Sequence, residues 1–275
     1  MRWGKVIAFV RQGGNQLGQL RLRCALGEPY TRVEAETVLA PYQFPDGSWD
    51  YSPPEEDPDR IGSLGGTIHC MRWLREFELG HSPLMVHTLE FLTGIQVPDG
   101  SFYETEAKLA HSPHRWLQEQ TLIDRFYFTA AVPMRIISLG HRDHPIIGPA
   151  LAWLGQYWTA WELVIGTWYN LWALLCIYRA TNELSESLYR HCYATALDWL
   201  PDLEAQPLTW LLDALHGAGF LADEPLVAKG IARLLSLQNE DDVWSDPKHS
   251  TIETTITAVR LLCDYRIASG HQDGR

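Results

Sequence analysis

Gln43-Phe-Pro-Asp-Gly-Ser-Trp49 returns as Gln96-Val-Pro-Asp-Gly-Ser-Phe102. A heptad used twice, each time after an amphipathic stretch, marks a chain built from repeats. Proline fixes φ, aspartate bonds its own backbone and glycine takes a position with φ > 0, so a helix cannot run through this stretch. Each heptad is expected to form a corner between two helices, with Gly47 and Gly100 at positive φ. A third copy, Gln238 to Trp244, keeps the glutamine and the tryptophan and reads with Val243 in place of the glycine.

The segments leading into the corners begin with proline at the first helical position and carry apolar residues at three-to-four spacing. They are Ser82-Pro83 to Gln96, His144-Pro145 to Gln156 and Glu224-Pro225 to Gln238. A second set of helices is expected to start near a threonine, over Thr67–Gly80, Thr129–Gly140, Thr167–Arg179, Thr209–Gly219 and Thr255–Gly270. An N-terminal helix over Lys5–Leu26 and the segment Thr31–Gln43 bring the total to about six helical hairpins, which cannot bury their apolar faces alone and must stack. The run Leu163 to Tyr178 has no charged residue, and a helix apolar all round belongs inside a larger protein. The expectation is an all-α fold, a closed α/α toroid with one ring of helices inside another. It occupies a single domain over residues 1–275, with 1–30 as the N-terminal helix and 31–270 as the repeats.

With 275 residues, 46% of them hydrophobic, the chain can bury one large core. Ser52-Pro-Pro-Glu-Glu-Asp-Pro-Asp59 reads as a long loop inside the first repeat. A net charge of -12 with no basic run argues against nucleic acid, and equally against electrostatic attachment to anionic lipid. No charge-free run reaches the roughly 18–20 residues of a spanning helix. Charges at Arg2, Lys5 and Arg11 without a small-residue cleavage site argue against export. Five scattered cysteines suit free thiols in a cytoplasmic protein.

The Gln-x-x-x-Gly-x-Trp corners, the threonine-led helices and the helix-pair period resemble the α/α toroid superfamily of triterpene cyclases and protein prenyltransferase β-subunits. Gln43–Trp49, Gln96–Phe102 and Gln238–Trp244 are similar to the QW repeats of squalene-hopene cyclase. The resemblance covers roughly residues 31–270. Because the length suits one barrel, the chain looks most like the short, single-domain class II terpene cyclases of the merosterolic acid synthase type. The resemblance implies an isomerase without cofactor, which protonates a linear polyprenyl chain and folds it into a polycyclic product. An aromatic or carboxylate head group on that chain stays open. Such cyclases carry Asp-x-Asp-Asp-Thr-Ala at the start of an inner helix. Here the matching segment reads Asp124-Arg-Phe-Tyr-Phe-Thr129-Ala130, so Thr-Ala is kept and the usual carboxylates are replaced.

Alkene protonation needs a carboxylic acid kept neutral by an apolar, water-free setting. Asp124 is the nearest substitute by position, and the competing reading makes it a helix-capping aspartate. Asp213, with His216 one turn on, is the rival acid; Glu162 and Glu253 are weaker ones. Cations formed midway need aromatic faces rather than anions. Trp116, Phe126, Tyr127, Trp168, Tyr169, Trp172 and Trp210 are therefore the expected substrate-binding residues, against a competing role in ordinary core packing. Trp161, Trp168 and Trp172 are spaced to put at least two on one helix face. His69, and beside it His111 and His114, are candidate partners for an acid. Arg125 is a candidate for an anionic head group or for a surface ion pair.

No metal site is expected. The Asp-x-Cys element of the zinc-dependent prenyltransferases is absent, and Cys70 beside His69 and Cys192 beside His191 lack structural-zinc spacing. Acidic runs near Glu55 and Glu240 read as solvated loops. The partner expected is a hydrophobic isoprenoid, with peripheral membrane contact open as the route of uptake. Two alternatives stand beside the cyclase: a metal-dependent toroid transferase using a prenyl diphosphate, and a non-catalytic isoprenoid-binding module.

Overall fold

The computed structural model describes residues 3–54, 57, 59–111, 121–183, 185–246 and 250–267. The fold is all-helical: among the described residues there is no strand, and two isolated bridges, Gln43 with Trp49 and Trp49 with Ser63, mark the first corner. The helices are α1 (Gly4–Gly13), α2 (Gln16–Ala25), α3 (Arg32–Leu39), α4 (Leu64–Glu76), α5 (Pro83–Ile95), α6 (Glu106–His111) and α7 (Leu122–Ser138). There follow α8 (Ile147–Gly155), α9 (Trp161–Val164), α10 (Trp168–Thr181), α11 (Glu186–Trp199), α12 (Ala205–Gly217), α13 (Pro225–Ser236) and α14 (Thr251–Asp264). No helix among the described residues is long and apolar enough to cross a membrane.

The chain forms two compact units, one from Met1–Thr31 with Arg190–Arg275 and the other from Arg32–Tyr189. In the first, α14 packs against α1, α2 and α12, and α13 packs against α12. In the second, α7 is central, packed against α4, α8, α9 and α10.

The corners repeat one hydrogen-bonding scheme. The Gln43 side-chain amide donates to the Leu84 carbonyl at 2.9 Å and to the Gly47 carbonyl at 3.2 Å. That of Gln96 donates to Ile146 and Gly100 carbonyls, both at 2.9 Å, and that of Gln238 to the Asp242 carbonyl at 2.8 Å. Each corner thus closes on itself, and the first two also reach the start of the next proline-led helix. The closing aromatic is then tied to the following threonine-led helix. Trp49, Phe102 and Trp244 donate their backbone N–H groups to Thr67, Thr129 and Thr255 at 3.1, 3.0 and 3.2 Å. All three rings are fully buried, and burial of a side chain this large contributes about 1.5–3 kcal/mol or more.

Gly47 and Gly100 have φ of 87° and 94°, as the turn chemistry requires. They also allow close approach: a Cβ would stand 2.1 Å from the His87 carbonyl oxygen at Gly47 and 2.3 Å from that of Pro149 at Gly100. In the third corner the left-handed residue is Asp242, at φ 64°. Counted from Gln238, Asp242 and not Val243 holds the glycine position, because aspartate tolerates that backbone region better than a β-branched residue.

Proline-led helices begin close to where the sequence puts them: Ser82 caps α5 by accepting the Met85 N–H at 3.2 Å, and Pro225 opens α13. Other boundaries move. The N-terminal segment is two helices rather than one, because Gly13 and Gly14 interrupt it and the Asn15 side chain caps α2 from Gly18 N–H at 2.9 Å. The threonine-led helices start earlier than their threonines, at Leu64, Leu122, Ala205 and Thr251. The charge-free run from Leu163 is broken between α9 and α10, where Thr167 caps the second helix from the Asn170 N–H at 3.3 Å. Trp161 therefore sits on a different helix from Trp172. Helix α11 has no counterpart in the sequence reading, since its apolar residues are diluted by charge.

Candidate functional site

The aromatic residues singled out on the second unit come together along α7 and α10. Tyr127 meets Phe128 at 5.3 Å and Tyr169 at 5.5 Å between ring centroids, and Tyr169 meets Trp172 edge-on at 5.2 Å. Offset and edge contacts of this length are the favoured aromatic geometries. Phe126 is fully buried and faces Trp153 at 6.3 Å. Tyr127 and Tyr169 keep part of their surface accessible, whereas Trp172 is buried.

Tyr127 is closely surrounded, and burial raises its phenol pKa above the ordinary value while Arg135 and Arg72 pull against that. The hydroxyl therefore stays protonated at neutral pH. Arg72 and Glu76 on α4 and Arg135 on α7 are themselves buried. His69, also on α4, lies in a second aromatic group, 5.4 Å from Trp73 and 5.0 Å from Tyr51, with Tyr42 edge-on to Trp73 at 5.3 Å. His69 touches rings there, whereas the carboxylate of Asp124 is bonded to Thr121.

The two candidate acids occupy different settings. Asp124 is the third residue of α7 and completes a capping box. Its carboxylate accepts the Thr121 N–H at 2.9 Å and the Thr121 hydroxyl at 2.7 Å, while the Thr121 oxygen accepts the Asp124 N–H at 3.3 Å. Such a box satisfies helix-end donors reciprocally. Asp124 is only half-buried, at a helix end rather than in an aromatic enclosure. Asp213 on α12, in the other unit, is fully buried and takes an ion pair from Arg260. Arg260 also holds Asp264 at 2.8 Å, and His216 Nδ1 stands 3.9 Å from the same Asp264. A carboxylate held against a buried guanidinium favours its charged form and is a counter-ion more than a proton donor. Glu253 pairs with the buried Arg21, and Glu162 is exposed on α9. Trp210 is half-buried on α12.

Trp116 and His114 lie outside the described residues, as do the side chains of His111 and Trp168. An open groove of about 510 Å³ runs along α5, lined by Val86, Leu89, Glu90, Thr93, Gly94 and His144; the aromatic run does not line it. Among the described residues no group of three or more His, Cys, Asp and Glu side chains is placed to hold a metal ion, and no disulfide joins the cysteines.

Arg125 is a structural clamp. Its Nε donates to the Ser101 hydroxyl at 2.8 Å and its Nη2 pairs with Asp99, so α7 is fastened to the second corner. The guanidinium lies 4.2 Å from the Tyr103 ring centroid and 4.9 Å from that of Trp153. Partial burial works against the Asp99 carboxylate, but the Ser101 hydroxyl and amide and the Arg125 charge outweigh it and hold its pKa below the ordinary value. Two features escaped the sequence reading. Glu104 is buried and accepts the Leu64 and Gly65 N–H groups at 2.7 and 2.9 Å, capping α4 from a distant segment. Buried arginines 72, 135 and 260 follow Thr67, Thr129 and Thr255 by five or six residues, a spacing that was available as a signal within the repeats.

No protein-family model matches the sequence, and no curated protein matches it.

Proposed function

We propose that the chain is a closed α/α toroid that binds a linear isoprenoid. The observation that carries this reading is the aromatic run from Tyr127 through Tyr169 to Trp172, with ring centroids 5.5 and 5.2 Å apart on α7 and α10. Ring faces in an apolar setting suit a polyene chain and any cation formed from it. The setting proposed is cytoplasmic, with substrate taken up at a membrane surface.

The activity proposed for this site is protonation-initiated cyclisation, with Asp124 as the acid and Asp213 as its rival. The engagement of both carboxylates favours a second reading, an isoprenoid-binding module that does not turn its ligand over: one completes a capping box and the other faces Arg260. The deciding experiment incubates the protein with farnesol, geranylgeraniol and longer polyprenols, with and without magnesium or zinc. Protein fluorescence follows binding, and mass spectrometry of the extract follows product. Binding with the chain recovered intact supports the module. A cyclic product lost in Asp124→Asn establishes the cyclase, and turnover that requires metal and a prenyl diphosphate establishes a transferase. Neither binding nor product, for any chain length, overturns the isoprenoid reading.

A further inference from the structure

Leu79-Gly80-His81 and Leu139-Gly140-His141 are the same tripeptide used twice, each time in the turn that follows a threonine-led helix, after α4 and after α7. The two turns meet backbone to backbone: a Cβ on Gly80 would stand 2.5 Å from the Leu139 carbonyl oxygen. His141 Nε2 lies 2.6 Å from the Gly80 carbonyl, and the His81 and His141 rings cross edge-on with centroids 5.1 Å apart. A third histidine, His144, closes the second turn by donating its N–H to the His141 carbonyl at 3.1 Å. Its Nδ1 is buried without a hydrogen-bond partner.

We propose that this pair of Leu-Gly-His turns is a proton-sensitive joint between successive repeats, closed while the buried His144 ring is neutral and loosened as it takes up a proton. The hydrogen bond to Gly80 is not the trigger, because an imidazolium donates from Nε2 as well as a neutral ring does. The trigger is charge: protonating His144 places a charge on a buried Nδ1 that has no acceptor, beside His141 and the paired turns. The surrounding charges are Arg32, whose Nη2 donates to the His81 carbonyl at 3.0 Å, Glu78 in the first turn, Arg142 and Asp143 in the second, and Glu90, which lines the α5 groove with His144. Arg142 extends the stitching by donating to the carbonyl of Thr181, the last residue of α10, at 3.4 Å.

Burial, and secondarily His141, lower the His144 pKa below the ordinary 6.5. The unfolded chain therefore binds that proton more readily than the folded one. The associated stability is complete above about pH 6.5 and is lost as the pH falls below it.

The test compares the full chain with His144→Phe, which keeps a ring but removes the nitrogen that would charge, and with His141→Gln, which keeps a donor for Gly80 and removes the imidazole beside His144. Between pH 7.5 and pH 5.5, chosen to bracket the histidine range near 6.5, the unmodified chain should lose roughly 2–4 °C more in Tm than either variant. Hydrogen exchange locates the effect. On acidification the amides of Ser82 and His141, bonded to the Leu79 and Ile136 carbonyls, should lose protection relative to those of Trp49 and Phe102 at the corners. Parallel pH profiles for chain and variants, or equal loss of protection at joint and corners, would overturn the joint. Should one variant fail to fold, the exchange pattern of the unmodified chain decides alone.

Discussion

Thr129 Oγ accepts the backbone N–H of Phe102 at 3.0 Å and donates its own O–H to the Arg125 carbonyl at 2.7 Å. One hydroxyl thus joins a corner to the helix that follows it, with the donor and acceptor both used. Thr67 does the same between Trp49 and the Ser63 carbonyl, at 3.1 and 2.6 Å. Thr129→Val keeps the shape but leaves the buried Phe102 N–H unsatisfied, which should cost about 1–3 kcal/mol. Thr129→Ser should recover most of that. Urea denaturation of the two variants measures the difference, and equal midpoints would remove the hydroxyl from the account of the corner.

Gly100→Val should lower stability by well over the roughly 1 kcal/mol of an ordinary glycine substitution, because both its φ of 94° and the Pro149 carbonyl 2.3 Å away oppose a side chain. Gly94, inside α5 with nothing within 4 Å of its would-be Cβ, gives the contrast. Gly94→Ala should raise stability by up to about 1 kcal/mol through helix propensity. Thermal melts of both variants should therefore move in opposite directions.

Asp213→Ala leaves the buried Arg260 guanidinium short of a counter-ion, and breaking a buried pair in this way costs about 3–5 kcal/mol. The remaining 2.8 Å contact from Arg260 to Asp264 should keep the loss near the lower end. Adding Arg260→Met should restore much of the stability by removing the stranded charge. A double-mutant cycle in urea checks this; no recovery in the double variant would show that the pair is not the source of the loss.

Asp124→Asn removes the charge from the α7 capping box and should cost about 0.5–1 kcal/mol, less than deletion of the Thr121 cap. Isoprenoid binding measured by fluorescence should be unchanged on either reading of the site. Product formation separates them, since only a cyclase acid makes this substitution abolish turnover.

The heptads were legible because turn chemistry is local: proline, aspartate and glycine dictate backbone angles within a few residues, whatever surrounds them. Gly47 and Gly100 accordingly take the conformations their neighbours require. The proline-led helices were legible for the same reason, since Ser82 and Pro83 carry their own start signal. Helix α11 was not, and neither was the break at Gly13 and Gly14, because periodicity gives way where charge or glycine enters an otherwise apolar run.

At the candidate site the sequence supplied residue types and the fold supplied their company. Tyr127, Tyr169 and Trp172 could be named from composition, but only the packing of α7 on α10 made them one run of rings. Arg125 stood between a head-group contact and an ion pair until Asp99 and Ser101 were placed beside it, and Asp213 stayed a candidate acid until Arg260, distant along the chain, was found against it. Backbone angles and helix starts depend on neighbours in sequence, so the chain alone determined its all-helical repeats and their corners. The charge state and role of a carboxylate depend on what approaches it through space, and that only the tertiary structure decided.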